Sequence, residues 1–343
     1  MKITKKILFC FLIFILVFGI NNDCFSWGFW AHKKINHQAV FTLPAEMLVF
    51  YKNHIDYITK HAIDPDKRRY LNKNENPRHF INPERFCAGL QIHNSKVGIT
   101  NPNQLIDSIP RNWSDAVYKY SEDSLKEYGI VPWYIYEMLG RLTAAFKERN
   151  VDKILKNSAD IGHYIADAHV PLHCTENYNG QFTNQVGIHA FWESRIPELF
   201  GDKYDFFVGN AKYIKDPQTA IWKVIKESYI ASDSVLKFEK ILNDKFPSDK
   251  KFSIEKRGRK TIKAYSYEYS LAYSNMLGGM VERRMRASIL MVGSLWYTAW
   301  VNAGQPDLSI IENKEASLEL MNQLKLEEQE RKKINNGENG HTD

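Results

Sequence analysis

Along most of this chain the apolar positions recur every three to four residues, the spacing of a helix that buries one face, and alternating strand-like runs are scarce. The pattern predicts long helices over Pro132–Arg149, Val151–Ala168, His189–Leu199 and Asp216–Asp244. A further helix is expected from Thr261 to about Asn302, broken or kinked at Gly278 and Gly279. Pro110, Pro132, Pro171 and Pro197 punctuate the boundaries. The basic stretch PSDKKFSIEKRGRK, Pro247 to Lys260, reads as a solvated loop between helices, with a nucleic-acid-binding patch as the alternative. The fold class is therefore all-α, and no internal repeat is visible.

The two ends of the chain depart from this pattern. Lys2, Lys5 and Lys6 precede the apolar run ILFCFLIFILVFGI, which gives way to NNDCFS, the plan of a signal peptide. Cys24 and Ser26 stand three and one residues before a cut in front of Trp27, so residues 1–26 are expected to be removed and the product to be periplasmic or secreted. An uncleaved anchor is the other reading, although the run is short for a membrane span. From Asn313 the sequence turns highly charged, which predicts a fraying helix and a disordered tail over 313–343, leaving 27–312 as the folded domain.

Bulk properties narrow the function only a little. The formal charge of +6 falls to about +4 without the leader, which permits an acidic substrate but demands none. Two of the four cysteines leave with the leader; Cys87 and Cys174 remain, and an oxidising compartment can pair them or leave two separate buried thiols.

The chemistry concentrates in DIGHYIADAHVPLHCTENYNGQFTNQVGIHAFWES, Asp160 to Ser194, which holds four histidines and four carboxylates. His163 and Asp167 are four apart in a helical pattern, so both leave one face a turn apart and can grip a single cation. His189 and Glu193 repeat the spacing. Pro171 should end the first helix and free His173 to turn back from the following loop. His169, six residues beyond His163, points elsewhere and reads as a packed or supporting histidine. One such residue means little, but burying several imidazoles and carboxylates together without a cation is costly. Elsewhere, HAIDPDKRR offers Asp64 and Asp66, PRHFIN offers His79, and the expected mature start WGFWAH offers His32 together with the amine and carbonyl oxygen of Trp27.

These segments resemble a known superfamily, the all-helical trinuclear zinc phosphodiesterases that include bacterial zinc-dependent phospholipases C and fungal single-strand-specific nucleases. The resemblance runs from Trp27 to Glu193 and is most specific in HYIADAHVPLH and HAFWE. It implies a compact multi-helix bundle holding three zinc ions. Asp64, His79, His163 and Asp167 would hold one, Asp167 would bridge to a second held by Trp27 and His32, and His173, His189 and Glu193 would hold the third. Such a cluster lowers the pKa of a bound water and clamps phosphate oxygens, with Asp64 as ligand alone or also as the general base.

The substrate implied is a phosphodiester, either a phospholipid head group, which would bring contact with a membrane surface, or single-stranded nucleic acid; no protein partner is implied. The WGxxxH spacing resembles the nucleases, whereas Glu193 and ENYNGQFTN resemble the phospholipases, towards which the balance leans. Asn82 stands where the nucleases carry Asp, and Trp30 where choline-recognising phospholipases carry a carboxylate. Trp30 and Phe80 are candidates for covering a base or head group, with core packing as the alternative. Outside hydrolysis, a non-enzymatic zinc-binding protein fits the same ligands. A di-iron bundle does not, because the one Glu-x-x-His pair, Glu338 with His341, lies in the tail.

Overall fold

The computed structural model describes residues 28–86, 102–257 and 260–338. The expected leader, Trp27 and Cys87 lie outside the described residues, as do 339–343. The described chain is mostly helical. Its long helices are α1 (Phe29–Val40), α2 (Val131–Lys147), α3 (Val151–His169), α4 (Pro217–Lys245), α5 (Tyr267–Met276), α6 (Met280–Asn302) and α7 (Leu318–Glu338), joined by short helical turns.

Helix α3 is the axis of the fold. The Asn150 side chain starts it by accepting the Lys153 amide at 3.0 Å, and every residue from Ser158 to His169 is buried. A helix buried all round must be enclosed by others, and α1, α2 and α6 pack on it. It stops at Val170, extended ahead of Pro171, as the proline predicts. Its last carbonyls are satisfied from outside: Ser228 of α4 donates to Ala168 at 2.6 Å, and the buried Arg284 of α6 donates to His169 at 2.9 Å. The His169 imidazole donates to the Ile165 carbonyl, and burial pushes its pKa down to about 3. It belongs to the packing, as its position implies.

Two close crossings bring α1 into place. A Cβ added at Gly162 of α3 would overlap the Asn36 carboxamide, and one at Gly293 of α6 would overlap the Thr42 hydroxyl. Asn36 uses the contact to donate to the Ala159 carbonyl at 3.1 Å. His32 lies one turn before Asn36, so the same crossing carries it onto α3.

Two expectations change. The segment read as a solvated loop folds into an antiparallel hairpin, β1 (Phe252–Arg257) with β2 (Lys260–Tyr265), so Thr261 begins a strand and the following helix starts only at Tyr267. Alternation of apolar and polar residues through FSIEK and TIKAY suits a strand better than a helix. The break at Gly278 and Gly279 is present, both with positive φ. The charged C-terminal segment forms α7, which packs by Leu320 and adjoins the turn Asp64–Arg68. Cys174 is a buried free thiol against the Ala168 carbonyl, and Cys87, its partner in one of the two alternatives, is outside the described residues.

Candidate metal centre

His163 and Asp167 leave α3 one turn apart and are fully buried. The His163 Nδ1–H donates to the Ala62 carbonyl at 2.8 Å; a carbonyl can only accept, so Nε2 is the nitrogen turned inwards. His173 is fixed likewise on the His79 carbonyl at 2.6 Å, and His189 on the Tyr178 carbonyl at 3.0 Å. His79 is turned the other way. Its Nδ1 faces Asp167 at 2.8 Å and His163 Nε2 at 3.1 Å, while its Nε2 looks towards the buried Glu75 carboxylate at 3.8 Å. An imidazole anchored at one nitrogen with the other aimed at a common point is how proteins present metal ligands.

The aimed atoms gather in two neighbouring groups. In the outer group, His173 Nε2 and His189 Nε2 are 3.2 Å apart, and each lies 3.2–3.3 Å from one oxygen of Glu193. A tetrahedral ion bound at about 2.0–2.1 Å sets its ligands about 3.3 Å apart, so the spacing fits. The segment Phe191–Arg195 that carries Glu193 is a turn of π-helix, a widening that recurs at functional sites. In the inner group, Asp66 Oδ1 lies 3.7 Å from both His163 Nε2 and His79 Nδ1, and Asp167 Oδ2 lies 3.2 Å from His163 Nε2. His163 offers one inward nitrogen, so the overlapping sets it joins share a single ion position. The other oxygen of Asp167, Oδ1, faces His32 Nε2 at 3.4 Å and His173 Nδ1 at 3.8 Å. Asp167 thus looks into two places at once.

Buried polar atoms here have too few partners. Both oxygens of Asp66, both oxygens of Glu193, His79 Nε2 and both nitrogens of His32 make no hydrogen bond although each is buried. His32 stacks on His163 with ring centroids 3.9 Å apart, and burial pushes its pKa down to about 4, leaving a neutral ring with nitrogens to share. Burial also drives the Asp66 carboxyl up to about 7. Leaving such groups unmatched is expensive, and divalent cations are the counterpart that suits nitrogen and carboxylate donors alike. The buried His, Asp and Glu groups can hold metal ions.

No family model and no curated protein matches the chain.

Of the residues singled out in the sequence, His32, His79, His163, Asp167, His173, His189 and Glu193 converge. Asp64 does not. Its carboxylate accepts from His61 at 2.5 Å and Lys67 at 2.9 Å, and these partners, outweighing burial, hold its pKa at about 2. Asp66 faces the centre instead, because two residues along a helical turn point nearly opposite ways. His61 and Lys67 sit three residues either side of Asp64, a local pattern from which its pairing could have been read. Glu75 was also unforeseen; buried between Arg78, at 2.6 Å, and the Tyr164 hydroxyl, it backs His79.

The aromatic candidates separate. Trp30 lays its ring on Gly201, where a Cβ would collide with it, so packing explains it. Phe80 is half-buried against Gly129, directly after His79. Tyr178, 47% exposed and nearly perpendicular to the His189 ring with centroids 5.9 Å apart, is a rim residue that the sequence did not suggest. Trp27 is outside the described residues, but a Cβ on the next residue, Gly28, would lie 2.7 Å from the Ser194 hydroxyl, so the chain enters beside Glu193.

Proposed function

We propose that this chain is a zinc-dependent phosphodiester hydrolase, phospholipase-C-like, exported and cut in front of Trp27. The observation that carries the reading is the convergence of five histidines and three carboxylates, Asp66, Asp167 and Glu193, at ligand-to-ligand spacing in a buried place. Zinc bound there would polarise phosphoryl oxygens and make a water acidic enough to attack near neutral pH.

The protein's own part is to hold these groups still. Backbone carbonyls fix the rings of His163, His173 and His189, and Glu75 backs His79. Asp167 ties the inner position, through Oδ2 beside His163, to the place that His32 faces, through Oδ1. Asp66 takes the role first given to Asp64, as ligand and as the acceptor of a proton from the attacking water, since its oxygens make no hydrogen bond and only Arg69, at 3.7 Å, approaches them from outside the ligand set. Gly28 beside Ser194 supports a role for residue 27: a terminus made there would bring an amine to the centre next to His32.

The spacing from Trp27 to His32 favours a second reading within the same chemistry, a single-strand-specific nuclease. The test is hydrolysis by the processed protein of a phosphocholine lipid, single-stranded DNA and RNA, with metal content measured by elemental analysis, before and after chelation. Turnover of one class that chelation abolishes and zinc restores is expected. Full zinc occupancy with no turnover of any of them would leave a zinc-binding protein and end the hydrolase reading.

A further inference from the structure

The hairpin β1–β2 is the one pair of strands among the described residues. Its register sets Phe252 opposite Tyr265, Ile254 opposite Lys263 and Lys256 opposite Thr261, so these side chains share one face. At the root that face is fixed to the protein: Tyr265 stacks on Phe191 with centroids 3.9 Å apart, and its hydroxyl reaches Gly187. The opposite face is clamped by Arg195, which forks onto Glu255 at 2.9 and 2.5 Å and donates from Nε to the Tyr265 carbonyl. Phe191 and Arg195 bracket Glu193, so the hairpin is mounted on the segment that carries a ligand of the outer group.

Beyond its root the shared face projects into solvent. Ile254 is 73% exposed at mid-strand, and Lys256, Thr261 and Lys263 are exposed around it. Close to the root, the loop that precedes Gly187 exposes Val186 and Phe182 by 59% and 67%. Among the described residues nothing covers the exposed parts of these apolar side chains. We propose that the outward face of the hairpin docks on an anionic phospholipid surface, with Lys256 and Lys263 drawn to the head groups and Ile254 immersed among them. Lysines on apolar stems beside bare aliphatic groups suit such an interface, where the charged ends reach the head groups and the stems stay in the apolar layer. Nucleic acid would answer the lysines but would cover less of the aliphatic surface of Ile254 and Val186 than an acyl layer does. The proposal concerns docking alone and does not depend on what the metal centre hydrolyses.

Flotation of the full processed chain with vesicles of phosphatidylcholine, with and without phosphatidylglycerol, tests it. Binding to the mixed vesicles only, weakened by salt, is expected. Ile254→Glu should weaken it roughly tenfold or more, and Lys256→Gln and Lys263→Gln about fivefold each. Ile254→Val should bind as the parent does, and all variants should keep the parent's metal content and thermal melt. Equal binding by the parent and Ile254→Glu would overturn the proposal. So would vesicle indifference combined with single-stranded DNA binding that Lys256→Gln weakens, which would make the face a nucleic-acid contact, or with a dimer that Ile254→Glu dissociates, which would make it a contact between copies. A chain that floats with vesicles but hydrolyses nothing would keep the docking face while ending the hydrolase reading.

Discussion

The inner and outer ligand groups are built from different kinds of structure. The inner one rests mainly on long helices: His32 from α1 and His163 and Asp167 from α3 have no exposed surface, while His79 and Asp66, from the short turns Asn76–His79 and Asp64–Arg68, have 1% and 4%. The outer one rests on short turns, Pro171–Cys174 for His173 and Ile188–Arg195 for His189 and Glu193, and its two histidines are each 5% exposed beneath the exposed rim of Tyr178. Carbonyl hydrogen bonds orient rings in both groups, but the inner one is also enclosed by packed long helices, whereas the outer one is carried by short turns. On the proposed reading a substrate would arrive from the outer side, with the inner side as the rigid wall against which it is placed.

The deepest break in this comparison is His163→Ala. It removes the one inward nitrogen that the overlapping inner sets share, so inner binding should fall by more than the roughly 10–100-fold that losing a supporting partner costs. The outer group should keep its ion. His189→Ala should do the reverse, emptying the outer position and sparing the inner. Zinc-to-protein ratios of the two variants check this, and equal losses in both would mean that the groups bind as one unit.

A sharper cut contrasts two neighbours. Asp66→Asn should lower inner metal content and hydrolysis together, because it neutralises a buried carboxylate aimed at the centre. Asp64→Asn should leave metal content alone and cost about 1.5–3 kcal/mol of stability through its weakened bonds to His61 and Lys67. Metal analysis and thermal melts separate the two outcomes. Metal loss on Asp64→Asn with none on Asp66→Asn would return the ligand to the position that the family resemblance implied.

How far the site could be read beforehand depends on whether its geometry is local. His163 with Asp167, and His189 with Glu193, follow from a spacing of four, and the second pair meets at 3.2 Å even though its helix widens to a π turn. His173 follows from the proline that ends α3. The choice between Asp64 and Asp66 needs the direction of one short helical turn, and the resemblance supplied a residue type and a neighbourhood without that direction. The hairpin was missed for a related reason. Pairing Ile254 with Lys263 depends on contact across a turn, and each strand by itself is too short to outvote the helical pattern that follows it. The approach of α1 to α3 was not legible at all, since a glycine inside a helical run usually signals only a weaker helix.

That approach gives the smallest and most exacting prediction. Gly162→Ala places a methyl group where the Asn36 carboxamide lies, and a well-packed interior resists such an addition by about 1–3 kcal/mol. Helix α1 must then shift, drawing His32 away from His163, so inner metal affinity should fall modestly along with the melting temperature. Asn36→Ala alone should also destabilise, by loss of its buried bond to the Ala159 carbonyl. The double variant decides the cause, because removing the carboxamide makes room for the methyl. It should be less unstable than the two single losses combined, and His32 should return to the centre with part of the metal affinity restored. Simple additivity would mean that α1 is not held at this crossing, and that His32 reaches the inner group by some other constraint.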